Sequence, residues 1–435
     1  MRTNFTPAQL TDADTRESEQ ILRNCVHCGF CQATCPTYTL LGDELDSPRG
    51  RIYLIKDMLE SGRPASAREV KHIDRCLSCL SCMSTCPSGV HYGHLVDHAR
   101  AWIEQTYVRP WPERVVRGLL AWLMPRRDAF RVAAQLGRLT KPVAGLLPRG
   151  PLRALANMAP ARVYGPAAVD LPQAFPTAGP RRLRVAMLSG CVQPVLAPQI
   201  NEATVRLLTR HGCEVVVARG AGCCGALSHH LGKQEQSLAM ARANIDAWTA
   251  EIDGGGLDAV VINASGCGVV VKDYGHMLRE DPLYAAKAAR IAALARDPSE
   301  IIEQLGLMAP VIDPGLTVAY HPACSLQHGQ KIREAPKAQL RAAGFDVRDI
   351  AESHICCGSA GTYNILQPQI AGQLRDRKVD SIRKVDADVV ATGNIGCITQ
   401  LSGAAGIPAI HTVELLDWAT GGPKPAALNA RGAPE

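Results

Sequence analysis

In the C-terminal part of the chain, apolar residues fall in short unbroken runs, and each run leads into glycine and cysteine. The sequence reads RVAMLSGC up to Cys191, EVVVARGAGCC up to Cys223 and Cys224, and AVVINASGC up to Cys267. It then reads TVAYHPAC up to Cys324, VRDIAESHICC up to Cys356 and Cys357, and VVATGNIGC up to Cys397. Runs rich in valine and isoleucine and bounded by glycine predict strands buried on both faces of a parallel sheet. The run before Cys356 is the weakest of the six. Segments such as NEATVRLLTRHG and KAQLRAAGF have the spacing of amphipathic helices. Small α/β units follow, with their cysteines just past the strand ends, where open α/β sheets place sites.

The pattern occurs twice. Cys191 to Cys224 and Cys324 to Cys357 are both intervals of 33 residues. Cys224 to Cys267 spans 43 residues and Cys357 to Cys397 spans 40. Each copy also has Cys-Cys-Gly, at 223–225 and 356–358. A tandem repeat with four thiols per copy is expected.

A different arrangement occupies the N-terminal part. Cys25, Cys28, Cys31 and Cys35 are followed by Pro36, and Cys76, Cys79, Cys82 and Cys86 by Pro87. Both spell C-x2-C-x2-C-x3-C-P. Three closely spaced thiolates wrap one iron–sulfur cubane, and in two-cluster ferredoxins the fourth cysteine ligates the other cluster. The expected sets are therefore Cys25, Cys28, Cys31 and Cys86 on one [4Fe-4S] cluster, and Cys76, Cys79, Cys82 and Cys35 on the other. Structural zinc is the competing reading, but zinc sites use separated cysteine pairs. Between the quartets, Ile52, Leu54, Ile55, Met58 and Leu59 suit a helix, and the 40 residues from Pro36 to Arg75 favour a helical two-cluster module over a compact β-hairpin ferredoxin.

Composition sharpens this picture. Seventeen cysteines, an odd number in short repeated spacings, do not form a secreted disulfide framework. The N-terminus MRTNFTPAQL has no apolar core and no twin arginine, and no run of 18 apolar residues occurs. A cytoplasmic protein is expected, with a peripheral place on the inner face of the cell membrane as its one membrane role. Net charge is +6, but residues 109–162 alone carry 11 Lys/Arg against 2 Asp/Glu. This stretch alternates apolar clusters with arginine, and Trp111 and Trp122 sit beside basic residues. It reads as a helix on an anionic membrane surface or as an apolar face docked on a partner. Nucleic-acid binding is not expected, since no recognised binding fold accompanies the charge. Four zones result: a helical two-cluster ferredoxin domain at 1–108, a basic helical connector at 109–180, and α/β repeats at 181–308 and 309–435.

The double quartet followed by two Cys…Cys-Cys-Gly…Cys repeats resembles the iron–sulfur subunit of glycolate oxidase (glycolate dehydrogenase). HPACSLQHGQ at 321–330 and CCGSAGTYNILQP at 356–368 are most similar to that branch. Wider relatives are the lactate-utilisation iron–sulfur proteins, the anaerobic glycerol-3-phosphate dehydrogenase small subunit and heterodisulfide reductase. The resemblance implies a flavin-bearing partner that oxidises a 2-hydroxy acid, with this chain carrying electrons to a quinone or another acceptor. The alternative is a disulfide- or quinone-reducing catalytic subunit. Heterodisulfide reductases often end each repeat in Cys-x-x-Cys, but here the corresponding positions are Val270 and Gln400.

For Cys191, Cys223, Cys224 and Cys267, and for Cys324, Cys356, Cys357 and Cys397, three readings stay open. They bind a cluster or metal, they form a redox-active thiol pair, or they are inert buried thiols. His321 and His328 flank Cys324 and either tune or ligate a centre there or serve packing. His91, His94 and His98 share one helical face, where shielding of a cluster or a partner contact is favoured over metal ligation. Gly220, Gly222 and Gly225 match G-x-G-x-x-G, but no acidic residue ends the next strand and the same Cys-Cys-Gly recurs without the fingerprint. No dinucleotide site is expected there.

Overall fold

The computed structural model describes residues 1–146, 153, 159–160 and 162–429. The N-terminal module is helical. Helices Ala13–Asn24, Pro48–Ser61, Ala67–Asp74 and Tyr92–Thr106 enclose a core that includes Leu22, Ile55, Met58, Ile73, Leu95 and Ile103. Helix Pro48–Ser61 starts where the Ser47 side chain accepts from the Gly50 N–H, has proline in its first turn, and stops at Gly62 with φ +61°. Each is a signal readable in sequence. A capping box of Ser66 and Glu69 opens helix Ala67–Asp74.

Two sheets follow. The first runs β1-β3-β2-β4-β5, with β1 Gln173–Phe175, β2 Leu183–Met187, β3 Cys213–Val217, β4 Ala259–Val261 and β5 Ala295–Arg296. The second runs β7-β6-β8-β9, with β6 Thr317–Tyr320, β7 Asp346–Asp349, β8 Val389–Thr392 and β9 Ala409–His411. All pairings are parallel except β1 with β3. Strands β4 and β8 are buried at every position, as near-continuous apolar runs require. The weak run before Cys356 becomes β7, an edge strand with only Val347 buried. β1 departs from the expected helical connector: a short segment joins the sheet through backbone pairing, with only Phe175 packed on the core, which leaves little side-chain pattern to read.

One apolar core spans both repeats. It joins Val185, Met187, Val215 and Val261 of the first sheet to Val318, Tyr320, Val389 and Ile410 of the second. The repeats therefore face each other across a shared interior, and the segments bearing Cys267 and Cys324 also meet, where the Ser265 and Ser325 hydroxyls lie 2.7 Å apart.

Candidate iron–sulfur sites

Cys25, Cys28, Cys31, Cys82 and Cys86 line one cavity, together with Pro48, Ile52, Pro87 and Tyr92. Cys35 does not line this cavity, although the Cys31 thiol also feels its charge. The thiols of Cys79 and Cys82 feel Cys35 as a neighbouring charge, together with Cys76. Burial pushes both thiols well up from their ordinary value, and their mutual repulsion pushes further in the same direction. A dry cage of thiolates needs a cation to compensate it. Donors around a single tetrahedral zinc close to about 3.8 Å of one another, from the 2.3 Å metal–sulfur bond. Among the described residues, three groups bring three donors within 4.8 Å of one another, and none comes from these quartets. The wider spacing fits a polynuclear cluster better than one ion.

A buried polar network backs the Cys35 side. Asp46 accepts from Arg75 Nη1 at 2.7 Å and Arg51 Nη2 at 3.4 Å, and pairs with His72 Nδ1 at 2.9 Å. Arg51 also donates to the His72 carbonyl at 2.7 Å, to Thr37 Oγ1 at 3.0 Å and to Cys35 Sγ at 3.9 Å. Tyr92 Oη and the Ser78 N–H donate to Cys76 Sγ at 3.7 Å and 3.5 Å. Sequence reasoning used this segment for its helix and overlooked Arg51. The available signal was an arginine next to Ile52 on the apolar stripe.

The repeat cysteines converge, four to a copy. Cys223 is hydrogen-bonded to Cys191 and Cys224, and Cys224 to Cys267. Cys356 is hydrogen-bonded to Cys324 and Cys357, and Cys357 to Cys397. In each set one thiol sits well below its ordinary value because its neighbours donate to it: Cys223 from Cys191 and Cys224, Cys357 from Cys356 and Cys397. The Gly225 and Gly358 N–H groups each donate to the first cysteine of the pair at 3.4 Å. Both glycines have left-handed φ, +86° and +87°, and a Cβ would lie 2.7 Å from Ser237 Oγ or 2.5 Å from the Ala371 carbonyl. This accounts for the glycine of Cys-Cys-Gly, and Gly222 donates its N–H to Asn244 Oδ1. The G-x-G-x-x-G match is thus part of a cysteine loop.

The histidines separate into different roles. His328 docks the second repeat on the N-terminal module through Nδ1, which meets Ser84 Oγ at 2.9 Å, while Nε2 meets the His354 carbonyl of its own repeat at 3.2 Å. His98 meets Ser18 at 2.7 Å. His94 pairs with Glu17 at 2.8 Å and Asp273 at 3.0 Å and stacks on His276, with His91 beside it. These contacts join the helix face to the same chain's first repeat. His321 is fully buried, and one ring nitrogen lies within 4.8 Å of the Cys357 and Cys397 sulfurs.

The basic connector is partly internal. Arg109 pairs with Asp74 at 2.6 Å, Arg117 donates to the Leu231 carbonyl at 3.2 Å, and Arg127 donates to Ser189 Oγ at 2.5 Å and the Gly190 carbonyl at 2.7 Å beside Cys191. The outer side of helices Trp111–Leu123 and Arg127–Thr140 leaves Trp111, Trp122, Leu136 and Leu139 exposed. Residues 147–152, 154–158 and 161 of the same zone lie outside the described residues. No helix among the described residues is long and apolar enough to cross a membrane.

Two thiolate cages in a helical module, joined to two cysteine-lined α/β units, define an iron–sulfur electron-transfer protein. The family comparisons agree: residues 21–90 match the 4Fe-4S dicluster domain, and residues 185–272 and 318–402 match the cysteine-rich domain. The chain is 43% identical to the glycolate oxidase iron-sulfur subunit of Escherichia coli, over 96% of this chain and 99% of that one. It is 32% identical to the probable glycolate oxidase iron-sulfur subunit of Bacillus subtilis, over 93% and 96%. Lactate utilization protein A of Bacillus licheniformis is 28% identical over 54% of this chain and 99% of that one. A crystal structure of a hypothetical protein from Helicobacter pylori has the same fold, with a TM-score of 0.55 at 10% identity, covering 97% of this chain and 75% of that one. The chain belongs to the family of glycolate oxidase iron–sulfur subunits.

Proposed function

We propose that this chain is the electron relay of a glycolate-oxidising complex, with two [4Fe-4S] clusters held in crossed fashion by the eight quartet cysteines. Oxidation of a 2-hydroxy acid to a 2-oxo acid releases two electrons and two protons. A flavin on a partner subunit takes both electrons, and the clusters pass them on singly to a quinone or another acceptor. What supports this reading is that Cys86, and not Cys35, lines the cavity of Cys25, Cys28 and Cys31, which Cys82 also borders, while Cys35 acts with Cys76 on Cys79 and Cys82.

The first cluster is the one within reach of a redox partner. Cys28 is exposed, and Val26, Phe30 and Tyr53 beside it are exposed by 59–67%. An apolar patch around a solvent-facing ligand suits transient docking. The exposed connector face, with Arg126 5.1 Å over the Trp122 ring, supports contact with an anionic membrane surface or with a partner subunit.

The test is to co-purify the chain with its flavoprotein partners without oxygen and add glycolate. Loss of the broad iron–sulfur absorbance is expected. Bleaching by lactate or glycerol 3-phosphate but not by glycolate would keep the relay and change the substrate. Bleaching by dithionite alone would reject hydroxy-acid oxidation in favour of disulfide or quinone reduction. Cys86→Ser should alter the EPR signal of the cluster that also loses intensity in Cys28→Ser. If it instead alters the cluster affected by Cys79→Ser, the crossing is wrong.

A further inference from the structure

The two repeats share a backbone but not a site. After β2, the Leu188 N–H donates to the Val261 carbonyl at 3.0 Å, and after β6, the His321 N–H donates to the Ala391 carbonyl at 2.9 Å. Val261 precedes Cys267 by six residues, and Ala391 precedes Cys397 by six. Leu188 and His321 are therefore the same position, three residues before Cys191 and Cys324. The helix behind each site also matches, because it meets Gly225 at Ser237 and Gly358 at Ala371. Seven residues further on stand Asn244 in the first copy and Lys378 in the second. The second copy has Asn394 next to the last cysteine, 3.6 Å from Cys397 Sγ, where the first has Ala264.

His321 has no solvent exposure, and the Cys357 thiol is the one polar partner its ring approaches among the described residues. Its nitrogen lies with the Cys357 and Cys397 sulfurs in a group whose members are all within 4.8 Å of one another. Cys356 adjoins Cys357, and Cys324 adjoins Cys356. Imidazole nitrogen and thiolate sulfur together select zinc or iron over harder ions.

We propose that the second repeat binds a transition metal, zinc or iron, with His321 as a nitrogen ligand beside Cys357, Cys397 and the adjoining Cys356 and Cys324, a mixed site that the first repeat cannot form. This deepens the relay reading and rests on it only for placing the site. Leu77 and Cys79 of the N-terminal module pack with Cys324, Ile355 and Cys356 in one cluster, and the Cys79 thiol feels the charge of Cys324. The mixed site therefore adjoins the Cys35, Cys76, Cys79, Cys82 cage, whereas Arg127 lies over the first repeat's thiols.

The experiment uses the whole complex, purified without oxygen, carrying wild-type chain, His321→Leu or His321→Cys. Iron, zinc and sulfide are counted per chain. Wild type is expected to hold metal beyond the iron of two [4Fe-4S] clusters. His321→Leu, which copies Leu188, should lose roughly one site's worth of it while the N-terminal cluster signals stay. His321→Cys should keep the metal and lose its nitrogen ligand. Isotope-labelled histidine with pulsed EPR reads that ligand for iron, and X-ray absorption reads it for zinc; the metal count says which of the two is present. A wild type with no surplus metal, a His321→Leu complex that keeps all of it, or an undiminished nitrogen signature in His321→Cys would overturn the proposal. Where His321→Leu fails to assemble, the cysteine variant alone decides. Glycolate bleaching of the N-terminal clusters, measured on the same samples, reports separately on the relay.

Discussion

Arg51 brings a positive charge into the most enclosed part of the N-terminal module, 3.9 Å from Cys35 Sγ and almost without solvent exposure. Burial works against this charge, but Cys76, Tyr92, Cys35 and Asp46 outweigh it and hold the guanidinium firmly protonated. Reduction adds an electron to the neighbouring cluster, so a fixed cation favours the reduced state. At an effective dielectric near 20 and a separation of ~6–8 Å, one charge contributes about 2–3 kcal/mol. Asp46 and its partners offset part of that. Replacing Arg51 with glutamine should lower the potential of the Cys35-side cluster by several tens of millivolts, up to ~100 mV, with 59 mV corresponding to about 1.4 kcal/mol for one electron. Arg51→Lys should recover most of the shift. A redox titration followed by EPR checks both, and an unchanged potential in the glutamine variant would rule out the electrostatic role.

Elements bring these residues together through backbone constraints. Gly358 turns the loop into the second cysteine pair with left-handed φ, and a Cβ there would lie 2.5 Å from a helix carbonyl. Gly358→Ala should cost about 3 kcal/mol or more and displace Cys356 and Cys357 from Cys324 and Cys397. Thermal denaturation and metal content are the readouts, and a variant as stable as wild type would contradict the close approach. On helix Tyr92–Thr106 the outward histidines form a pH-dependent joint with the first repeat. Burial opposes charging of His94, but Asp273 and Glu17 lift it to about 9. Burial likewise opposes ionisation of Asp273, but His276 and His94 pull it down to about 2. The histidine's contribution is complete below its ordinary pKa of about 6.5 and is lost as pH rises through about 9. The carboxylate's contribution is complete above about 4 and is lost as pH falls toward about 2. Docking should be tightest between roughly pH 4 and 6.5 and weaken steadily from there to about pH 9. Protection of the joint's amides against hydrogen exchange should fall as pH rises from about 6.5 to about 9 in wild type, and His94→Gln should lack that protection already at about pH 6. Exchange insensitive to both would remove the joint's electrostatic basis.

The whole molecule places one redox cage at the surface and the other against the second repeat. If the exposed patch around Cys28 receives the redox partner, Val26→Glu with Phe30→Glu should slow glycolate-driven bleaching at least tenfold. Dithionite should reduce both clusters as before. Stopped-flow absorbance distinguishes this from a general loss of cluster, which would slow both reactions. The connector face is tested separately. Leu136→Glu with Leu139→Glu should weaken sedimentation with anionic vesicles severalfold while leaving cluster content intact. Loss of flavoprotein co-purification instead would assign that face to the partner subunit.

The chain alone determined the ligand types, their spacing, the helical character of the module and the duplication. Each depends on residues near one another in sequence: quartet spacing, valine runs ending in glycine and cysteine, and the matching 33-residue intervals. Only tertiary structure decided which side chains meet across the fold. Arg51 reaches Cys35 by the closing of a helix onto a loop, and β1 enters the sheet by backbone pairing, with Phe175 resting on the core. His321 and His328 read alike in sequence, seven residues apart, yet one is spent on Ser84 and His354 while the other faces Cys357 and Cys397. A side chain's partner depends on the long-range packing of the elements that carry it, and period and spacing do not encode that packing.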